Sequence, residues 1–184
     1  DEGATAEVVF EVTDADGDDV TLELFDNGSA ASLTSETKTD GVTTAVVTIA
    51  PEFGTDGSYS FTLSATDTNN HEAQATVNYT INHVNRAPIS LGYNDFGLAK
   101  GTSSEPIDLS VMFEDPDGDK LTYKISTGAF SSVQYYMSGS KVIFYATGSN
   151  RTKVNVTATD PSGLSAVTSF YIDCSISGID NVTI

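Results

Sequence analysis

The chain has 184 residues, with 26 acidic against 8 basic side chains, a net charge of −18, a single cysteine and no tryptophan. That charge repels nucleic acid and anionic membranes and excludes both as natural partners, while a lone Cys174 excludes an intrachain disulfide and a CxxC metal pair. No apolar run approaches the roughly 20 residues of a membrane-spanning helix, and the length suits two small domains of roughly 90 residues, each able to bury a modest core.

In chain order, Ala6, Val8, Phe10 and Val12 recur at the period of a half-buried strand. Asp14-Ala15-Asp16-Gly17-Asp18 follows and predicts a tight turn, because Asp side chains bond nearby backbone amides and Gly accepts positive φ. Val20, Leu22 and Leu24 resume the alternation. Further on, Phe61, Leu63 and Ala65 lead into Ala65-Thr66-Asp67, and Ala73, Ala75, Val77, Tyr79 and Ile81 read as a closing strand. In His83-Val84-Asn85-Arg86-Ala87-Pro88 the proline ends the ladder and forces an extended connection, so the predicted domains are 1–84 and 85–184.

The second half repeats the first. Ile107, Leu109, Val111 and Phe113 match the opening strand, Asp115-Pro116-Asp117-Gly118-Asp119 matches the acidic turn, and Leu121, Tyr123 and Ile125 match the strand after it, all at one offset. Val154, Val156 and Ala158 lead into Ala158-Thr159-Asp160 at a shorter offset, which implies a loop-length difference between the copies. Leu164, Ala166, Phe170, Ile172 and Cys174 read as the last strand, with Cys174 a small buried hydrophobe. Residues 88–98 supply a first strand to the second copy that the first copy lacks, so the first copy is expected to carry an open edge suited to self-association. No helical periodicity is present. Three carboxylates within five residues repel one another unless a cation or donors neutralise them, and against this stands the plain reading of the turns as Asp/Gly turns on a soluble, salt-tolerant surface.

Phe113-Glu114-Asp115-Pro116-Asp117-Gly118-Asp119-Lys120-Leu121-Thr122-Tyr123, followed by Val156-Thr157-Ala158-Thr159-Asp160-Pro161-Ser162-Gly163-Leu164-Ser165, resembles the cadherin-like domains of the dystroglycan type found in bacterial surface proteins. The first copy is similar through its own acidic turn, Asp56-Gly57-Ser58-Tyr59-Ser60-Phe61-Thr62-Leu63 and Ala65-Thr66-Asp67. The resemblance implies an all-β chain of two tandem immunoglobulin-like (cadherin-like) Greek-key β-sandwiches, placed extracellularly or on a cell surface, and a calcium site where the loop after the second strand meets the loop before the last. It implies that Asp115, Asp117, Asp119 and Asp160 converge there, joined by Asn82 and Asn85 of the linker and by Glu52 or Asp56 of the first copy. Asp14, Asp16, Asp18 and Asp67 would form a weaker counterpart. Calcium takes six to eight oxygen ligands at roughly 2.3 to 2.6 Å, which alternate carboxylates in a Gly-containing turn supply in part. The cadherin linker pattern DxNDN is reduced here to Asn85-Arg86-Ala87-Pro88, and Arg86 sets a positive charge where an acid would help; a single ion, or none, is expected.

No nucleophile elbow, phosphate-cradling glycine loop or cysteine–histidine pair is present, so the chain is not expected to be an enzyme. His71 and His83 are expected to be solvated and unable to form a zinc site alone. A carbohydrate-binding sandwich is the alternative, with Tyr135 and Tyr136 as its aromatic platform, although adjacent strand residues point one inward and one outward. The expected partner is accordingly a protein or glycan on a cell surface. Sequons such as Asn27-Gly28-Ser29 carry little weight in so Thr-rich a chain. Asp1-Glu2-Gly3 lacks the regions of a signal peptide, so an export signal is expected outside this chain or removed, and the tail Ser177–Ile184 is expected to lead into a further domain or sorting segment or to patch another copy's edge.

Overall fold

Side-chain alternation builds six strands in the first half: β1 (Ala6–Thr13), β2 (Val20–Asp26), β3 (Ala31–Thr39), β4 (Val42–Ile49), β5 (Gly57–Asp67) and β6 (Glu72–Ile81). The structure, a computed structural model, describes residues 1–26, 28 and 30–175, so the sequon at 27–29 and the tail lie wholly or partly outside the described residues. Contacts divide the chain into two units, Asp1–Val84 and Asn85–Ile184, and no α-helix occurs among the described residues.

In the first unit β1-β4-β3 form one antiparallel sheet and β2-β5-β6 the other. Pairing of β1 with β4, rather than with its sequence neighbour, makes the connection a Greek key. The inner faces of β4 and β5 carry the core: Ala45, Val47 and Ile49 against Phe61, Leu63 and Ala65, with the Phe10 ring edge-on to Phe61 at 6.0 Å. At the start of β5, Tyr59 stacks on Tyr79 and its hydroxyl donates to the Thr55 carbonyl at 2.9 Å, the tyrosine corner of immunoglobulin-like sandwiches.

The second unit is more completely covered. Its first strand splits into β7 (Ile89–Ser90), antiparallel to Phe113–Glu114 in a two-stranded ladder, and β8 (Phe96–Gly97), parallel to Ile172–Asp173 at the edge of the four-stranded sheet; Gly92, at φ 81°, lies in the crossing between them. Then come β9 (Ile107–Asp108), a 3-10 turn (Leu109–Met112), β10 (Phe113–Glu114), β11 (Thr122–Thr127), β12 (Val133–Ser138), β13 (Lys141–Ala146), β14 (Thr152–Thr159) and β15 (Ser165–Asp173). The sheets run β11-β14-β15-β8 and β12-β13-β9, with β10-β7 alongside. Phe144 and Phe170 cross edge-on at 6.0 Å in the centre, and Phe96 packs on both. Each unit is thus a Greek-key β-sandwich of immunoglobulin-like, cadherin-like topology.

Strand alternation fails at one predicted place. Residues 107–113 are not a continuous strand, because the Asp108 side chain accepts the Ser110 amide at 3.1 Å and caps the 3-10 turn. The turn rotates the parity, so Met112 and Phe113 are both buried and Val111 is exposed. Leu164 also departs from its predicted inward place: it ends the turn before β15 and stands exposed, while Thr168, Phe170, Ile172 and Cys174 face inward. Burial raises the Cys174 thiol above its ordinary pKa, in keeping with an inert core residue.

Candidate cation site

The acidic turn of the second unit is organised by Asp115. Its Oδ1 accepts the backbone amides of Asp117 and Asp119 at 3.0 and 3.1 Å, and its carbonyl accepts the Gly118 amide. Gly118, at φ 76°, closes a turn that a side chain would strain. Antiparallel pairing of β11 with β14 then carries the turn before β11 to the end of β14, where Asp160 sits. One carboxylate oxygen from each of Asp115, Asp119 and Asp160 lies within 4.8 Å of the others.

Asp160 is buried, with its Oδ1 accepting the Leu164 amide at 2.9 Å and its Oδ2 accepting the Asn85 side-chain amide at 2.9 Å. Burial by itself raises its pKa; the Asn85 bond and the amides of Leu164, Gly163 and Ser162 outweigh it, leaving the carboxyl below the ordinary value and ionised. Asp115 differs. Its Oδ2 is buried and has no hydrogen-bond partner, the only such side-chain atom among the described residues. A buried carboxylate oxygen without a donor is costly, and a cation is one group that satisfies it.

Of the predicted ligands, Asp115, Asp119, Asp160 and Asn85 meet within this unit, whereas Asp117 does not join the triad. The Arg86 guanidinium holds it: Nε and Nη2 both donate to Asp117 Oδ1, at 2.9 and 2.6 Å, and the Arg86 backbone amide donates to Oδ2 at 2.6 Å. Nη2 also donates to the Pro116 carbonyl at 2.7 Å. Glu52 lies on the loop after β4 in the first unit, exposed and outside every carboxylate group that converges there.

The first-unit turn has the same frame, with Asp14 Oδ1 accepting the amides of Asp16 and Asp18 at 2.9 and 3.0 Å. Asp18 and the facing Asp67 are occupied by donors. Asn69 donates to Asp18 at 2.6 Å, and Asp67 takes the amides of Asn69 and His71 and stands 2.8 Å from the His71 ring. Asp14, Asp16, Asp18 and Asp67 are not among the converging groups of the described residues, and Asn69 and His71 take up lone pairs of Asp18 and Asp67.

The unit's buried acid is Glu2, which sequence reasoning passed over because an acid four residues before a strand carries no signal of burial. Its Oε1 accepts the amides of Gly54 and Thr55 at 2.7 and 3.0 Å, its Oε2 accepts the Val84 amide at 2.9 Å, and the His83 ring stands 3.1 Å from Oε2. Both histidines, expected to be solvated, thus touch a carboxylate. The Val84 amide draws the Glu2 carboxyl below its ordinary value; burial opposes this, and the Gly54 and Thr55 amides and His83 reinforce it. A depressed folded pKa gives stability that is present above the ordinary carboxylate range of about 4.3 and is lost as pH falls through the lowered value. The melting temperature of the first unit is therefore expected to fall as pH drops below about 4, and to fall less in Glu2→Gln; equal acid slopes for the two proteins in thermal scans would reject this role.

Of the tyrosines, Tyr135 serves the fold: its hydroxyl donates to the Ile125 carbonyl at 3.0 Å and its ring leans on Phe144. Tyr136, paired across the sheet with Ile143, is 72% exposed, and Tyr135 keeps 42% of its surface exposed on the other side. The two do not form one platform, since adjacent strand positions face opposite sides.

No family model matches the chain, and no curated protein matches it. Among solved structures it is similar to protocadherin Gamma B7 extracellular cadherin domains 1–4, at 15% identity over 98% of this chain and 48% of that one, with a TM-score of 0.47. Similarity to the human desmocollin-1 ectodomain is 10% identity over 88% of this chain and 34% of that one, TM-score 0.42. For the endo-fucoidan hydrolase MfFcnA4 from glycoside hydrolase family 107 the values are 17%, 95% and 27%, TM-score 0.41, so this chain spans about a quarter of that protein. No helix among the described residues is long and apolar enough to cross a membrane.

Proposed function

We propose that this chain is a non-catalytic, extracellular adhesion or spacer segment of a bacterial cell-surface protein, with a calcium corner where the polypeptide enters the second unit. The buried, unpartnered Asp115 Oδ2 within the Asp115–Asp119–Asp160 group carries the calcium reading. The donors are hard oxygens, the kind calcium takes and transition metals do not prefer. Three carboxylates would hold the ion, Asn85 would offer a side-chain carbonyl, and water would complete the shell. Bound calcium would supply charge neutralisation there.

The protein's own part is positional. Asp115 shapes the turn through two backbone amides, Asp160 is fixed by Leu164, and Asn85 ties the first residue of the second unit to Asp160. The corner thereby anchors the start of the linker on the sandwich behind it. In the first unit no described strand covers the outer edge of β6, the place that β8 takes beside β15 in the second unit, and an extended segment of a surface partner suits that edge.

Calorimetry after chelation tests the metal reading. Calcium is expected to bind with measurable heat and to stabilise the second unit by about 2.7 kcal/mol at a hundredfold excess over Kd. No heat and an unchanged melting temperature would reject it.

A further inference from the structure

We propose that Arg86 is a built-in counter-cation that withdraws Asp117 from the corner, so that the second unit presents calcium with the Asp115–Asp119–Asp160 face alone. The assignment rests on the calcium reading of that corner and names the side chain that decides which carboxylates an ion meets.

Asp115, Asp117 and Asp119 alternate along one five-residue turn and are chemically equivalent in the sequence. Their surroundings separate them. The Asp117 side chain is 6% exposed, and its two oxygens already receive three hydrogen bonds from Arg86. A carboxylate has about four lone-pair sites, and hydrogen bonding and metal ligation compete for them. Asp115, by contrast, keeps Oδ2 without a donor.

Charge acts in the same direction. A guanidinium is ionised at every working pH, so an ion ligated by Asp117 would sit beside a fixed positive charge, and like charges at that distance oppose binding. Release of Asp117 would also break the bonds that it accepts from the Arg86 backbone amide and guanidinium. The bond from Arg86 to the turn spans 31 positions of sequence and pins the linker to the second sandwich whether or not an ion is present. The first unit has no arginine, and its corresponding Asp16 is exposed.

Carboxyl-detected NMR of the ¹³C,¹⁵N-labelled chain, chelated and then titrated with calcium chloride, tests the assignment. In the wild type the side-chain carboxyl signals of Asp115, Asp119 and Asp160 are expected to shift saturably, while those of Asp117 and the Arg86 Nε–H stay fixed. In Arg86→Gln, Asp117 is expected to respond as well, and calcium affinity to rise on the order of tenfold as the like charge is removed. A calcium-dependent shift of Asp117 in the wild type overturns the proposal, and so does its silence in Arg86→Gln. Should that variant not fold, Arg86→Lys is read in its place, because an ammonium cannot form the fork and Asp117 must then respond at high calcium. Silence of Asp115, Asp119 and Asp160 in the wild type removes the calcium reading and, with it, this assignment; that outcome is distinct from the two above, in which the three carboxylates still respond.

Discussion

Asp115→Ala is expected to abolish calcium binding by the second unit and to lower that unit's stability by roughly 2 kcal/mol even without calcium, because two backbone amides lose their acceptor. Both effects follow from the division of labour between its oxygens. Oδ1 builds the turn and Oδ2 faces the corner without a donor. Asp115→Asn separates the two: its side-chain carbonyl can still accept the amides, so the fold is expected to persist while affinity for calcium collapses. Calorimetry reads the binding and thermal unfolding the stability. Equal calcium affinity in the wild type and Asp115→Asn would remove Asp115 as a ligand.

Phe170→Ala is expected to have the largest effect on stability, about 3–5 kcal/mol. The side chain is 1% exposed and lies against three rings, Tyr93, Phe96 and Phe144, at centroid distances of 5.1, 6.0 and 6.0 Å. Two of those rings belong to the split first strand and its crossing segment, so the cavity also loosens β8 from β15. A loss of this size is a large share of the stability of so small a domain and corresponds to a fall of roughly 15 °C or more in its melting temperature. Hydrogen exchange should show the second unit losing protection while β4 and β5 of the first keep theirs; equal loss in both units would contradict separate cores.

The two sandwiches differ in how they treat the same acidic turn. In the first, Asn69 and His71 supply donors to Asp18 and Asp67, and no carboxylates of the turn converge. In the second, Arg86 takes one carboxylate and leaves three together. The same turn chemistry can therefore leave its carboxylates apart or gather them, and the difference is made by residues outside the turn.

Much of the architecture was legible in the sequence because it is local. Period-2 alternation marked β1, β2, β5, β6, β14 and most of β15, the Asp/Gly spacing marked both turns, and Pro88 marked the end of the ladder. Where local signals compete, the reading failed. At 107–113 the alternation was correct as a pattern, yet the Asp108 cap made a 3-10 turn and exposed Val111. β4 gave little signal although it is among the most buried strands, because Val42, Val46 and Ile49 place apolar residues on both faces and blur the period.

From residue types and short spacings alone, the chain declares two copies of a strand pattern, two acidic turns and a pool of carboxylates that suits a cation, and the resemblance to cadherin-like domains adds the sandwich. Only the tertiary structure decides which carboxylates meet. Asn85 and Asp160 are 75 positions apart, Arg86 and Asp117 are 31 apart, and Glu2 finds its amides 52 and more residues away. Each carboxylate oxygen has only a few lone pairs, and the donor that reaches it first in the fold, a backbone amide, a guanidinium or a histidine, determines whether it remains available to a metal ion.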